Sequence, residues 1–210
     1  MSHDKKVTAI VGTYRKGGII DSAVDEILDS ARKEGFETKK ILLIDTRVEF
    51  CKNCRACTQL EGQGPGKCCI DDDMAGILAE IEGSDAIVLG SPVNFGTVTA
   101  VMKKFIERLV CFAYWPWGMN APKVRNKHMT KRAVVVVSSA APSLLARLMT
   151  RTSGLLKKAA GLMGARTVGV LFIGFASREE KQQLPKRSRA KAQYLGKKLA
   201  AHNISQVNKH

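Results

Sequence analysis

Short apolar runs of high β-propensity alternate along this chain with segments whose apolar residues recur at helical spacing, and this alternation constrains the fold more than any other feature. Lys6–Val11 reads as a strand that stops at Gly12. Ile20, Val24, Ile27, Leu28 and Ala31 then share one helical face, ended by Gly35. Residues 38–44 form a second predicted strand. Asp72 and Asp73 stand where a helix N-cap belongs, ahead of Met74, Ile77, Leu78 and Ile81. Residues 86–89 read as a third strand closed by Gly90, after which Thr97 is placed to cap a helix carrying Val101, Met102, Phe105, Ile106 and Leu109. Residues 133–138 are the clearest strand, followed by one helix over 143–163, a fifth strand over 168–174 and a basic helix over 186–201 with Ala192, Leu195 and Leu199 inward. Strands that are continuous apolar runs between helices imply a parallel sheet covered on both faces. Ligands of such α/β sheets sit at the carboxyl ends of the strands. The loops after the first, third and fourth strands are therefore the informative ones.

At 210 residues the chain is expected to form one domain, 1–210, with a cysteine-rich insertion at 51–69. No apolar run approaches the ~20 residues of a membrane span, and the N-terminal apolar stretch enters a glycine-rich loop with no small-residue cleavage site. Membrane and secreted classes are set aside, and a cytoplasmic location is expected. The formal net charge of +15 is uneven: residues 1–100 hold 12 Lys/Arg against 16 Asp/Glu, residues 101–210 hold 22 against 3. The basic half raises a second functional class, a nucleic-acid-binding or regulatory module without redox activity. Its basic residues are not interleaved with aromatics as a base-stacking surface requires, which argues against nucleic acid.

The first loop, Gly12-Thr13-Tyr14-Arg15-Lys16-Gly17-Gly18-Ile19-Ile20, joins glycines, cationic side chains and a helix N-terminus, the parts of a phosphate cradle. It fits neither common nucleotide fingerprint, and an ordinary glycine-rich turn explains it equally well. Of six cysteines, five fall within 19 residues: Cys51, Cys54, Cys57, Cys68 and Cys69. C-x2-C-x2-C is a run that wraps a 4Fe–4S cluster, because each two-residue gap turns successive thiolates toward one centre. Structural zinc accepts four thiolates too, and reduced, metal-free cysteines are the third reading. Phe112, Tyr114, Trp115 and Trp117 put four of the twelve aromatics in six residues, as a flavin roof, a subunit seal or a satellite core under a long loop.

The stretch from Gly90-Ser91-Pro92-Val93-Asn94-Phe95-Gly96 through Met102-Lys103-Lys104-Phe105-Ile106-Glu107-Arg108 resembles the flavin loop of the NADPH-dependent FMN reductase and iron–sulfur flavoprotein families. The first loop resembles their phosphate loop, and Cys68 with Asp72-Asp73-Met74 resembles their segment of a cysteine followed by Asp-Asp-Met. The resemblance implies a flavodoxin-like three-layer sandwich with a five-stranded, doubly wound parallel sheet in the order 2-1-3-4-5. It implies FMN held by Thr13, Arg15, Lys16, Gly17, Gly18, Ile20 and Ser22 at the phosphate, by Pro92, Val93, Asn94, Phe95 and Gly96 at the ring, and by Ser138, Ser139 and Ala140 after the fourth strand. Ile19 and Ile20 stand where the family carries Asn and Thr, so backbone N–H groups and Ser22 must substitute. A 4Fe–4S cluster would be held by Cys51, Cys54, Cys57 and Cys68, with Cys69 a bystander. The implied activity is an FMN-dependent oxidoreductase or electron-transfer flavoprotein, fed by NAD(P)H or a reduced electron carrier and passing electrons to a small-molecule or protein acceptor, as a homodimer or homotetramer. The flavin does the chemistry, so no catalytic side chain is named. Among the basic residues, Lys123, Arg125, Lys127 and Arg147 are expected nearer the flavin than the last helix, read as a solvated face.

Overall fold

A computed structural model describes residues 5–179 and 182–201. Its elements in chain order are β1 (Lys6–Val11), α1 (Ile19–Lys33), β2 (Glu37–Leu42), α2 (Met74–Glu82), β3 (Ala86–Pro92), α3 (Ala100–Arg108), β4 (Ala113–Tyr114), β5 (Lys123–Val124), β6 (Lys131–Ser138), α4 (Ser143–Met149), α5 (Thr152–Leu162), β7 (Ala165–Ile173) and α6 (Lys186–Ala200). Five strands form one parallel sheet in the order β2-β1-β3-β6-β7. This is the expected 2-1-3-4-5 order, with the small antiparallel hairpin β4–β5 inserted between its third and fourth strands.

Period-two alternation divides the core. In β6, Ala133, Val135 and Val137 face one way with Ile10 of β1, against α2, α3 and α5. Val134 and Val136 face the other way with Val7, Ala9 and Val11, against α1 and α6. Both faces of every central strand are buried, which is why these strands read as unbroken apolar runs. The two helices on the second face meet at Gly196. A Cβ there would lie 2.4 Å from the Ile27 carbonyl, and Ser30 donates to the Gln193 carbonyl at 2.7 Å.

Four local expectations are corrected. The second strand ends at Leu42, because Leu43–Asp45 turn into a 3-10 helix. The N-cap of α3 is Thr99, not Thr97; its Oγ1 accepts from the Met102 N–H at 3.3 Å, while Thr97 closes a turn with Asn94. Ser143 is already helical after Pro142 and caps nothing. The single helix expected over 143–163 is two, α4 and α5. Thr150 is extended, and the Arg151 N–H leaves the helical ladder to donate to the Gly96 carbonyl at 3.3 Å. No helix among the described residues is long and apolar enough to cross a membrane.

Candidate functional site

Three loops meet at the carboxyl edge of the sheet around a cleft of about 1210 Å³. Thr13, Arg15, Lys16, Gly17, Gly18, Ile20 and Ser22 line it from the first loop, Pro92, Val93 and Asn94 from the third, and Ser138, Ser139 and Ala140 from the fourth. The first loop is locked to its neighbour: Gly12 N–H donates to the Gly90 carbonyl at 2.8 Å, and Thr99 Oγ1–H to the Gly12 carbonyl at 2.6 Å. A Cβ on Gly12 would sit 2.5 Å from Met102 Cβ, so only glycine lets the loop lie against α3.

Gly17 takes φ +69°, and Gly18 leads extended into α1. The first intrahelical bond runs from Ser22 N–H to the Gly18 carbonyl at 2.8 Å, so the N–H groups of Ile19, Ile20 and Asp21 have no intrahelical acceptor. Apolar Ile19 and Ile20 are thus compatible with an anion at this end, since the backbone carries the donors. The Ser22 hydroxyl donates to the Gly17 carbonyl at 3.1 Å and braces the loop. Of the two cations, Lys16 is paired with Asp45 at 2.7 Å, whereas Arg15 is exposed and makes no ion pair with any described residue.

Asp21, buried beneath the loop, was missed in the sequence, although an acid in a first helical turn is a readable signal. Its carboxylate accepts from Gly17 N–H at 2.7 Å and from Lys40 Nζ at 2.8 Å; Lys40 also reaches Asp25 at 2.6 Å. Burial lowers the pKa of Lys40, but its hydrogen bonds to Asp21 and Asp25 outweigh burial and raise it. A permanent cation therefore neutralises the carboxylate under the cradle.

The third loop is a two-residue hairpin. Asn94 and Thr97 exchange backbone hydrogen bonds at 2.8 and 3.0 Å, while Phe95 (φ +47°) and Gly96 (φ +77°) form a type I′ turn. The N–H groups of Val93 and Asn94 are spent on the Ser138 and Thr97 carbonyls, so any backbone donor to a ligand from this loop must come from its tip. Phe95 and Gly96, expected on the wall, form that tip, and the Phe95 side chain is wholly exposed. The far wall was not anticipated: Ala176, Ser177, Gln182, Gln183, Leu184 and Arg189 close it from the β7–α6 connection. Arg189 thus corrects the reading of α6 as only a solvated face. Lys123, Arg125, Lys127 and Arg147 are absent from the wall. Arg125 instead donates to the carbonyls of Cys57, Cys111 and Ala113.

A second cavity of about 230 Å³ is lined by Cys51, Cys54, Cys57 and Cys68 together with Arg108 and Trp115. Among the described residues, no three His, Cys, Asp or Glu side chains come together as ligands for one metal ion. The Cys54 and Cys69 sulfurs are 3.5 Å apart. Cys54 has its pKa lowered, first by the Ala56 backbone N–H and then by Cys69, whereas burial raises those of Cys57 and, to about 12, Cys111. Arg108 anchors the cavity floor: its side chain is 2% exposed, forks onto Asp72 (0% exposed) at 2.5 and 3.1 Å, donates to the Glu49 carbonyl at 2.9 Å and touches Cys68 Sγ at 3.5 Å. Burial raises the Asp72 pKa, but Arg108 and the backbone N–H groups of Glu49 and Met74 outweigh it and hold the carboxyl below its ordinary range.

The aromatic run packs on this segment and not on the cleft. Trp115 N–H donates to the Thr58 carbonyl at 2.8 Å, and the Arg55 guanidinium lies between the Trp115 and Trp117 rings, 3.9 and 4.3 Å from their centroids. Phe112 belongs to the main core, Trp117 stays largely exposed, and within this chain the run does not line the cleft.

Fold and cleft together define a flavodoxin-like α/β protein whose ligand edge is built from the loops after β1, β3 and β6. The model of the NADPH-dependent FMN reductase family matches residues 5–178, and the chain belongs to that family. It is 33% identical over 111 residues to an iron-sulfur flavoprotein of Archaeoglobus fulgidus, covering 53% of this chain and 48% of that one. It is 39% identical over 103 residues to an iron-sulfur flavoprotein of Methanocaldococcus jannaschii, covering 49% and 51%. The chain thus spans about half the length of these relatives. Among solved structures it is similar to an NAD(P)H:quinone oxidoreductase from Methanothermobacter marburgensis (TM-score 0.70, 16% identity, 95% of this chain and 98% of that one). It is also similar to an FMN-dependent NADH-azoreductase from Bacillus anthracis in complex with FMN (TM-score 0.69, 12% identity, 94% and 100%).

Proposed function

We propose that this protein is an FMN-dependent oxidoreductase that takes electrons from NAD(P)H or a reduced carrier and passes them to a small-molecule or protein acceptor. The observation that carries the reading is the meeting of the three expected loops around one cleft at the sheet's carboxyl edge. FMN, when bound there, supplies the two-electron chemistry. The chain's own part is to bind and orient it. The first-turn N–H groups of α1 and Arg15 would hold the phosphate, with Lys40 cancelling the charge of Asp21 below. The Pro92–Gly96 hairpin, tied to α5 through Arg151, would set the edge against which the ring lies. A purified chain with a flavin absorption spectrum, and one FMN retained per chain, is the expected result; a chain that takes up no FMN would end the reading.

A finer part concerns the four cysteines. We infer that Cys51, Cys54, Cys57 and Cys68 hold a 4Fe–4S cluster that exchanges electrons with the flavin site. Its support is the shared cavity and the presence of Arg108, a buried cation beside one thiol, which suits an anionic thiolate cluster. Anaerobically purified protein is expected to carry about four iron atoms per chain. Iron-free protein after anaerobic reconstitution would remove this part and leave the flavin reading intact.

A further inference from the structure

Cys69 has no part in the site described above, yet its sulfur lies 3.5 Å from that of Cys54. No other two cysteine sulfurs among the described residues are hydrogen-bonded to each other, and all six cysteines are free thiols. The other four are differently placed. Cys57 and Cys111 are buried, Cys68 is held by Arg108 at 3.5 Å, and Cys51 lies 3.9 Å from Asn53 Oδ1. Cys54 and Cys69 are both exposed. Their backbones are fixed on either side. Asn53 and Arg55 take left-handed φ values of +51° and +57°, and Arg55 is clamped between two indole rings and donates to the Trp115 and Pro116 carbonyls. Cys69 sits between Cys68, held by Arg108, and Asp72, held by the same guanidinium. The side-chain torsions of the two cysteines are the freedom left for closing the gap to a disulfide length of about 2.05 Å.

We propose that Cys54 and Cys69 are an oxidation site that closes to a disulfide when the chain meets hydrogen peroxide. In the first step the thiolate of one cysteine attacks a peroxide oxygen; the O–O bond breaks, hydroxide leaves and takes up the proton the thiol had released to become water, and a sulfenic acid forms. The second thiol then attacks that sulfur; the S–O bond breaks, a second water leaves and the S–S bond forms. Two thiols give up two electrons and two protons, and one peroxide becomes two waters. The bond stands on the geometry alone. Its consequence rests on the reading of the cysteine cavity as a metal site: with Cys54 tied to Cys69, only three thiols face the cavity, and a four-thiolate metal cannot load until the disulfide is reduced.

The test uses the full chain, stripped of metal and fully reduced under argon, then given one equivalent of hydrogen peroxide. Free thiols are expected to fall from six to four, and peptide mapping is expected to join Cys54 to Cys69. Cys68→Ser, which removes the neighbouring thiol from the same peptide, should still form the link. Cys69→Ser should form no link at Cys54 and lose at most one of its five thiols, as the Cys54 sulfenic acid, at the same exposure. Both substitutions are made on an irregular segment outside the sheet, and circular dichroism of each variant checks its fold. A link from Cys54 to Cys51 or Cys57, or equal thiol loss in Cys69→Ser, would overturn the pairing. For the consequence, zinc uptake is the probe: the reduced chain is expected to bind one equivalent, the oxidised chain at least tenfold less, and dithiothreitol to restore it. Undiminished uptake by the oxidised chain would overturn the gating. A reduced chain that takes up neither zinc nor iron would overturn the metal reading instead, while the disulfide measurement stands.

Discussion

The cleft and the cysteine segment are both built from loops, but they are held in opposite ways. The three cleft walls after β1, β3 and β6 each hang from the end of a strand whose two faces are buried, so sheet geometry places the loop and backbone hydrogen bonds such as Gly12 to Gly90 finish it. Residues 46–73 contain one short 3-10 turn and no strand, and their path is set by side chains: Arg108 on Asp72 and Glu49, Arg125 on Cys57, Arg55 between two tryptophans. The lesson is that a cleft inherited from a sheet tolerates change in its side chains, whereas a segment held by a few arginines, Arg108 of them buried, depends on each of them.

The largest break in that contrast is expected at the buried ion pair. Asp72→Ala leaves Arg108 charged and unpaired in a site where its side chain is 2% exposed, and stability is expected to fall by about 3–5 kcal/mol in urea unfolding. Where the protein remains folded, the Cys68 thiol should react faster with a thiol reagent while FMN affinity changes less than tenfold. The pH dependence has a definite sign. Because the folded pKa of Asp72 is depressed, its contribution is complete above the unfolded carboxyl value of about 3.9 and is lost as pH falls through the lower folded value. The stability gap between wild type and Asp72→Asn should therefore hold constant from neutral pH to about pH 5 and narrow only below the ordinary carboxylate range.

The cleft should answer in affinity and not in stability. Arg15→Ala removes an exposed cation from the proposed phosphate end and is expected to weaken FMN binding by about 1.5–3 kcal/mol, measured by flavin fluorescence titration, with an unchanged unfolding midpoint. The same substitution at Lys16 should do less, since its charge is already matched by Asp45. Equal losses at both positions would mean that the phosphate does not discriminate between them and that the loop acts through net charge alone.

The same contrast explains what could be read from the residues. The strands and the two cleft loops were legible because buried parallel strands leave runs such as Ala133–Val137 and because the first and hairpin loops carry glycines where the backbone turns, whereas the strand order came only with the family resemblance. The β7–α6 wall was not legible, since Ala176, Ser177 and Gln182 carry no chemical pattern and only the sheet order brings them to the cleft. Nor was the break between α4 and α5, whose cause is a bond from Arg151 to Gly96 across 55 positions of chain. In the cysteine segment the spacing announced thiols that share a cavity, but the contact of Cys54 with Cys69 depends on how residues 58–67 fold back, and no local signal encodes that.

A smaller effect is expected where the two regions differ least, in backbone strain. Phe95 holds a left-handed φ that costs a residue with a Cβ about 1–2 kcal/mol, and its ring gains nothing from burial. Asn tolerates that conformation better, so Phe95→Asn is expected to raise stability by up to about 1 kcal/mol in thermal unfolding. If the exposed ring serves the proposed flavin site, the same variant should lose activity with NADPH while gaining stability. A variant that gains both would mean that the turn is strained for no functional reason.

The smallest effect is expected at the far end of α6. Arg189, in its first turns, lines the cleft, although its charge is shared with Glu26 at 2.9 Å. Lys197 and Lys198 are exposed in the last turn, and Lys197 is about 12 Å further along the helix axis than Arg189 at 1.5 Å per residue. That exceeds the Debye length of about 10 Å at 0.1 M salt, so these charges are screened from an anion entering the cleft. If charge steers NADPH toward the cleft, flavin reduction slows as ionic strength rises. The double variant Lys197→Gln, Lys198→Gln should leave that slope unchanged in stopped-flow reduction and shift stability by no more than about 0.5 kcal/mol. Arg189→Gln should flatten the slope. A flattening in the lysine variant equal to that in the arginine variant would mean that the whole basic face, and not the residue at the cleft, draws the donor in.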